Sequence, residues 1–191
     1  ISPVKEWWEM GGLVTICWHW RVPDSKEEWE ASKADKNTVF EGFYAPEGGS
    51  PSTTFSAANA VEEGTWENEF VKSDMEKVAE RLALLRDEGI VVIWRPFHEA
   101  AGNSTIYSDG KAWFWWGADG AEPCVKLWKM MYDYFESKGL DNLIWVWTSQ
   151  TKDDEWYPGD EYVDMIGRDL YNYTTDDATY TFNYLTTYYP H

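Results

Sequence analysis

Three side chains capable of acid–base chemistry follow one strongly apolar stretch of the sequence. Residues 90–94 read IVVIW, and Arg95, His98 and Glu99 come within the next five positions. A short apolar run rich in β-branched residues predicts a strand buried on both faces, as in parallel sheets, whose carboxyl ends carry the functional loops. A carboxyl group beside an imidazole and a guanidinium is suited to general acid–base catalysis. The alternative interpretation is a structural ion pair at a strand end.

The loop after this strand favours the functional interpretation, because it is crowded with aromatic side chains. Residues 113–116 read WFWW, and four consecutive residues cannot all face one core on a helix or a strand. Some of these rings are therefore expected to face outward. Aromatic residues make up 18% of the chain. Flat rings beside hydrogen-bonding groups suit sugars, whose ring faces are apolar and whose edges carry hydroxyls.

The same order of elements recurs along the chain. Apolar runs at 13–18, 142–147 and 162–170 predict three further strands, and amphipathic helices are predicted at 70–88 and 122–139. Strands that alternate with helices and collect polar residues at one end indicate an α/β fold with a parallel sheet, either a barrel or an open sheet. No glycine-rich phosphate loop follows a predicted strand, which argues against a nucleotide-binding open sheet.

The remaining segments are predicted to be mostly irregular. The polar stretch 24–65 is expected to be one long loop, and 153–161 a link without a clear helix. The tyrosine-rich tail after residue 172 is expected to be a loop followed by the start of a helix.

The charge of the chain narrows the class of partner. The sequence has 34 acidic and 16 basic residues, a net charge of −18. Nucleic acids and anionic membranes would be repelled, whereas a neutral polysaccharide would not. No apolar run reaches the length needed to span a membrane. Because the chain begins at Ile1, without a Met or a signal-peptide pattern, it is interpreted as a processed or excised piece.

Metal and nucleophile chemistry receive little support from the sequence. Cys17 and Cys124 have no metal-ligand spacing and are predicted to be buried free thiols. A metal site formed by His19, His98 and Glu99 is conceivable, but these residues lack the helical HExxH spacing. A serine nucleophile is disfavoured because no GxSxG elbow is present. Neither a metal nor a cofactor is predicted.

Four stretches of this sequence resemble one known family. WRPFHEAAGN (94–103) followed by WFWWG (113–117) closely resembles glycoside hydrolase family 26, chiefly endo-β-1,4-mannanases with (β/α)8 barrels. GGLVTICWHW (11–20) resembles the family's third barrel strand, and YPGDEYVDMIGRDLYN (157–172) resembles its sixth. The resemblance implies an α/β fold of the (β/α)8 TIM-barrel type, of which this chain covers about strands three to six. Residues 1–191 would then form one incomplete catalytic domain of a secreted or cell-surface enzyme.

The resemblance also implies roles for residues at the strand ends. Glu99 corresponds to the family's general acid/base at the end of strand four. His98 and Arg95 would orient the site and contact sugar. His19, at the end of strand three, would line the subsite that holds the mannose being cleaved.

Further residues are carried over from the aromatic loop and from the last predicted strand. Trp113 matches an aromatic residue that forms a sugar platform, and Trp116 is a second candidate. Tyr171 matches a tyrosine near the nucleophile, and Asp169 a supporting carboxylate. For Asp169 and Arg95, a purely structural salt bridge remains the alternative.

One departure from the family pattern affects the predicted function. The family's nucleophile is a glutamate on strand seven, whereas the only acids after Tyr171 are Asp176 and Asp177, in a predicted loop. A retaining mechanism needs two carboxyl groups about 5–5.5 Å apart. The chain is therefore expected to be a fragment of a longer enzyme, to pair with itself or a second chain that completes the barrel, or to bind mannan without cleaving it.

The leading hypothesis is endo-acting, retaining hydrolysis of β-1,4-mannosidic bonds in mannan, galactomannan or glucomannan. The alternatives are a non-catalytic mannan-binding domain and a related β-glycanase acting on xylan or mixed-linkage glucan.

Overall fold

The centre of the molecule is a parallel sheet. A computed structural model describes residues 2–35 and 38–189. Its four-stranded sheet consists of β1 (Val14–Cys17), β2 (Val92–Arg95), β3 (Leu143–Thr148) and β4 (Met165–Gly167). Neighbours in the chain are neighbours in the sheet, and all the pairings are parallel. The predicted α/β fold and all four predicted strands are confirmed.

Helices precede, connect and follow the strands in the described part of the chain. They are α1 (Ser2–Glu9), α2 (Lys26–Ser32), α3 (Ala57–Ala60), α4 (Trp66–Asp87), α5 (Trp115–Ala118), α6 (Ala121–Ser137) and α7 (Thr175–Tyr188). The two longest, α4 and α6, connect β1 to β2 and β2 to β3. No helix among these residues combines the length and the apolarity needed to cross a bilayer.

Helix α4 shows how local chemistry sets the ends of an element. The Thr65 side chain accepts a hydrogen bond from the backbone N–H of Asn68 and caps the first turn. Gly89 ends the helix with a φ of 71°, a conformation that favours glycine. Phe70 and Leu82 lie on the buried face. The helix predicted at 70–88 is confirmed, with its first turn beginning at Trp66.

The two faces of the sheet differ in burial. On β2, Val92 and Trp94 are buried, and the Trp94 ring contacts Phe135 of α6 at a centroid distance of 6.0 Å. Ile93 and Arg95, which alternate with them, are only half-buried. The prediction of a strand buried on both faces is therefore wrong for the face turned away from the helices.

Several short elements lie where the sequence predicted loops. Helices α2 and α3 fall within the predicted loop 24–65, capped by the side chains of Ser25 and Ser56. Short 3-10 helices occupy Asp154–Trp156 and Asp160–Tyr162, so β4 is shorter than predicted. Few apolar residues mark such short elements, which explains why they were missed.

The two cysteines differ in their surroundings. Both are free thiols, and Cys124 is buried as predicted. Cys17 is exposed, so the prediction of burial is wrong there. It is paired in register with Arg95, which places it at the carboxyl end of β1 on the face of the sheet turned away from the helices.

Candidate active site

The backbone after β2 turns sharply and is held in an uncommon conformation. Phe97 and Glu99 have φ values of 47° and 53°, in the left-handed region that residues other than glycine rarely adopt. Burial of the Phe97 ring against Trp20 and Trp128 supports this turn. The Glu99 carbonyl also accepts a hydrogen bond from the Gly102 N–H at 2.9 Å.

An ion pair connects the end of β2 to the segment that follows β4. Nη1 of Arg95 donates to Oδ1 and Oδ2 of Asp169 at 2.7 and 2.9 Å. Only 23% and 21% of the two side-chain surfaces are exposed. The pair thus spans β3 and brings a guanidinium and a carboxylate to the carboxyl edge of the sheet.

The carboxyl group of Glu99 lies in an environment that favours its protonated form. The residue is 8% exposed. Burial, and then the hydrogen bond and negative charge of Asp169, raise its pKa from 4.5 to about 7, against smaller lowering effects of Gln150 and Arg95. A carboxyl group with a pKa near neutrality can both donate and accept a proton at physiological pH.

His98 lies beside Glu99 and is kept neutral. Burial, assisted by the charges of Arg95 and His19, lowers its pKa from 6.5 to about 4. Its Nδ1 lies 3.3 Å from the Cys17 Sγ, and partial burial of this thiol raises the pKa of Cys17. A thiol that donates to Nδ1 would place the ring proton of His98 on Nε2, whereas an Nδ1–H would donate to the sulfur.

His19 completes this group from the end of β1. Its ring centroid lies 5.2 Å from that of His98. The centroids of the Phe43 and Phe114 rings are 4.2 and 5.3 Å away. Partial burial and the charge of Arg21 lower its pKa. The residue is nevertheless exposed, so one side of the imidazole is accessible to a ligand.

The aromatic loop divides into one accessible ring and three buried ones. Trp113 is half-buried, whereas Phe114, Trp115 and Trp116 belong to the core. The Trp116 Nε1–H donates to the carbonyl of His98 at 3.2 Å. Trp116 has no accessible surface and hence no face against which a sugar could stack. The structure therefore limits the predicted platform to Trp113 and places Trp116 behind His98 as packing.

Five of the predicted site residues are joined by contacts, and Tyr171 is outside this cluster. Glu99, His98, His19, Arg95 and Asp169 are linked by the contacts described above. Tyr171 follows Asp169 by two positions, and 72% of its surface is exposed.

Three nearby residues were not predicted from the sequence: Cys17, Gln150 and Arg168. Arg168 Nη1 donates to the side-chain oxygen of Gln150 at 2.7 Å. The signal for Gln150 was its place among the polar residues that follow a predicted strand, as for Glu99. Among residues 2–35 and 38–189, no three His, Cys, Asp or Glu side chains converge in a way that could hold a metal ion.

Solved structures share this fold and its arrangement of strands. The GH26 domain of an endo-beta-mannanase/endo-beta-glucanase from Prevotella bryantii is 46% identical, with a TM-score of 0.86 over 100% of this chain and 57% of that one. A beta-mannanase from a symbiotic protist of the termite Reticulitermes speratus is 39% identical, with a TM-score of 0.80 over 99% of this chain and 52% of that one. The sheet is thus part of a (β/α)8 barrel of the TIM type.

Sequence comparison identifies the family. Residues 2–190 match the model of Glycosyl hydrolase family 26, and the chain belongs to that family, as the resemblance predicted. A mannan endo-1,4-beta-mannosidase of Thermothelomyces thermophilus is 36% identical over 165 residues, which is 85% of this chain and 30% of that protein. Mannan endo-1,4-beta-mannosidase B of a Piromyces species is 36% identical over 86% of this chain and 24% of its own length. The chain therefore spans less than a third of these relatives.

Proposed function

We propose that this chain is part of the catalytic domain of a retaining endo-β-1,4-mannanase. It would hydrolyse β-1,4-mannosidic bonds in mannan, galactomannan or glucomannan, with Glu99 as the general acid/base. The observation that carries the proposal is the buried Glu99 carboxyl group, whose pKa is raised to about 7 and which lies at the carboxyl end of a parallel strand. The family and the names of its relatives support mannan as the substrate.

The proposed reaction has two steps. Glu99 first donates its proton to the glycosidic oxygen while a second carboxylate attacks the anomeric carbon, so that the C–O bond breaks and a glycosyl-enzyme forms. Glu99, now ionised, then takes a proton from the water that releases the sugar. A pKa near neutrality suits both tasks.

The second carboxylate is not assigned to a residue of this chain. Asp169 is bound to Arg95, and Asp177 forms the capping box of α7 with Thr174. Asp176 lies exposed in the first turn of the same helix. Because the chain spans 30% or less of the two mannan endo-1,4-beta-mannosidases matched by sequence, the proposal places the nucleophile in a part of the protein outside this sequence.

Neighbouring side chains would position the polymer. With its proton on Nε2, His98 would donate to a sugar hydroxyl, and the exposed side of His19 would line the subsite of the mannose being cleaved. Arg95 and Asp169 would orient Glu99. Trp113 would stack on a sugar ring farther along the groove, and Tyr171 would lie near the nucleophile.

The setting of the enzyme follows from its proposed substrate. A polysaccharide is too large to enter a cell unaided, which supports a secreted or cell-surface location. An uncharged polymer also fits a chain with a net charge of −18. Residues 1–191 would be an incomplete domain, whose barrel is closed by the rest of the same protein or by association with a second chain or a second copy.

The proposal is tested by changing Glu99→Gln in the full-length protein. Cleavage of mannan should fall by roughly 10²–10⁴-fold, because its leaving group needs a proton. Formation of the glycosyl-enzyme from an aryl β-mannoside with a good leaving group should be largely spared. Equal loss on both substrates would contradict the assignment.

Two controls accompany this experiment. The variant Glu122→Gln removes an exposed acid on α6 and should leave both activities unchanged. A panel of mannan, xylan and mixed-linkage glucan, scored by reducing ends, identifies the polymer. Preference for xylan or glucan would overturn the choice of mannan.

A further inference from the structure

The side chain of Gln150 is buried beside the proposed acid and has no role in the reaction described above. Gln150 lies two positions after the end of β3 and is 4% exposed. Its Oε1 accepts a hydrogen bond from Arg168 Nη1 at 2.7 Å. A guanidinium has only donors, so the amide must present its oxygen to Arg168. Its NH2 group therefore points away from Arg168.

The NH2 group of Gln150 is a buried donor near the carboxyl group of Glu99. It is buried and makes no hydrogen bond of normal geometry with the described residues, yet it lies close enough to lower the pKa of Glu99. A buried donor without a partner is unfavourable and uncommon in folded proteins. Glu99 is the neighbouring acceptor for this donor.

The backbone around Gln150 is fixed by a compact turn. The carboxylate of Asp153 accepts hydrogen bonds from the Ser149 hydroxyl, at 2.7 Å, and from the Gln150 N–H. Thr151 and Lys152 have left-handed φ values of 64° and 56°, which the turn must support. Gln150 is thus held at both its main chain and its side chain.

We propose that Gln150 is a positioning residue that stabilises the Glu99 carboxylate formed when the acid gives up its proton. This inference rests on the proposed function, because it assigns Gln150 a part in the same proton transfer. Hydrogen bonds from a neutral amide to a carboxylate are stronger than those to a protonated acid. A donor fixed in advance where charge develops favours the transition state without a later rearrangement.

Other groups around Glu99 set the background for this effect. Asp169, after β4, disfavours the carboxylate, and Arg95, at the end of β2, favours it. Cys17, at the end of β1, is also close enough to sense the charge of Glu99, but its raised pKa keeps the thiol neutral. Removal of the Gln150 donor should therefore leave the effect of Asp169 less opposed and raise the pKa of Glu99.

The experiment compares Gln150→Leu with the parent in the full-length protein. Leucine is similar in size but cannot donate. The alkaline limb of kcat/KM, which reports the acid in the free enzyme, should move up by about one pH unit. A 13C-NMR titration of the Glu99 carboxyl group should show the same shift independently of turnover. An unchanged titration would overturn the proposal.

Two further variants keep the test decisive. Tyr173→Phe removes a contact of Arg168 Nη2, at 3.2 Å, but leaves its bond to Gln150, so no shift is expected. Arg168→Lys releases the amide to rotate and should give a smaller upward shift, which serves if Gln150→Leu does not fold. If Glu99→Gln loses activity on mannan but not on the aryl mannoside, and Gln150→Leu leaves the pKa of Glu99 unchanged, only this inference is rejected. Failure of Glu99→Gln would reject the proposed function itself.

Discussion

Arg95 uses one guanidinium nitrogen to bind both carboxylate oxygens of Asp169, at 2.7 and 2.9 Å. The ion pair fixes Asp169 in position beside Glu99, where its hydrogen bond and its charge raise the pKa of that carboxyl group. The salt bridge and the acid–base interpretation, which the sequence presented as alternatives, are therefore compatible. The pair has a structural role and also influences the pKa of the Glu99 carboxyl group.

Replacement of Asp169 by Asn should lower the pKa of Glu99. The amide removes a negative charge that opposes ionisation, so the alkaline limb of kcat/KM should move down by about one pH unit. This is the opposite direction to that expected for Gln150→Leu. Asp176→Asn, which removes an exposed acid elsewhere, is the matched control. An upward shift in Asp169→Asn would contradict the electrostatic account.

Replacement of Cys17 by Ala should allow His98 to populate both neutral tautomers. We expect the thiol to donate to Nδ1 across 3.3 Å, which would keep the ring proton on Nε2. Long-range 1H–15N spectra of the parent should show a single Nε2–H tautomer, and those of Cys17→Ala a mixture. Cys17→Ser retains a donor and should resemble the parent. A parent spectrum with the proton on Nδ1 would refute the assignment.

Glu99 and His98 should give the folding stability opposite pH dependences. The pKa of Glu99 is raised in the folded state, from 4.5 to about 7, so the unfolded chain binds fewer protons in that window. Its contribution to the free energy of unfolding therefore falls as the pH rises. The pKa of His98 is lowered, from 6.5 to about 4, so its contribution rises with pH between those values. Each effect is on the order of 3 kcal/mol.

Single variants should separate these two contributions. The stability of Glu99→Gln should rise between pH 4.5 and 6.5, because Glu99 no longer opposes the His98 effect, whereas that of His98→Gln should fall. The parent should change less than either variant. Denaturant unfolding at several pH values measures all three. Parallel curves for the parent and both variants would rule out shifted pKa values at these positions.

Trp113 and Trp116 should respond differently to truncation. Trp116 is fully buried behind His98, so Trp116→Ala should cost about 3–5 kcal/mol of folding stability through the cavity it leaves. Trp113→Ala should cost less stability but raise KM for mannan, because a half-buried ring is the proposed platform. Thermal unfolding and kinetics on the same two proteins decide the matter. A KM unchanged by Trp113→Ala would exclude the platform role.

The sequence predicted those parts of the site that are close together in the chain. Arg95, His98 and Glu99 are recognisable because one buried strand carries them all at its end. The long helices and the strands were also predicted, since their apolar patterns extend over many residues. The family resemblance located His19 and Asp169, which periodicity alone would not have identified.

Contacts that depend on register between strands were not predictable. Cys17 meets His98 because β1 is paired with β2 in a particular register, with Cys17 opposite Arg95. Gln150 meets Arg168 across the β3–β4 pair, 18 positions along the chain. The burial of Trp116 depends on how the loop packs beneath His98. Such features follow from the packing of whole elements and leave no local pattern in the sequence.

The left-handed backbone at Glu99 implies a conflict between folding stability and activity. A residue other than glycine costs on the order of 1 kcal/mol in that conformation, and burial of its carboxyl group adds to the penalty. Directed evolution scored only by survival of heating would therefore enrich glycine at position 99. The most heat-stable variants from such a library would not hydrolyse mannan.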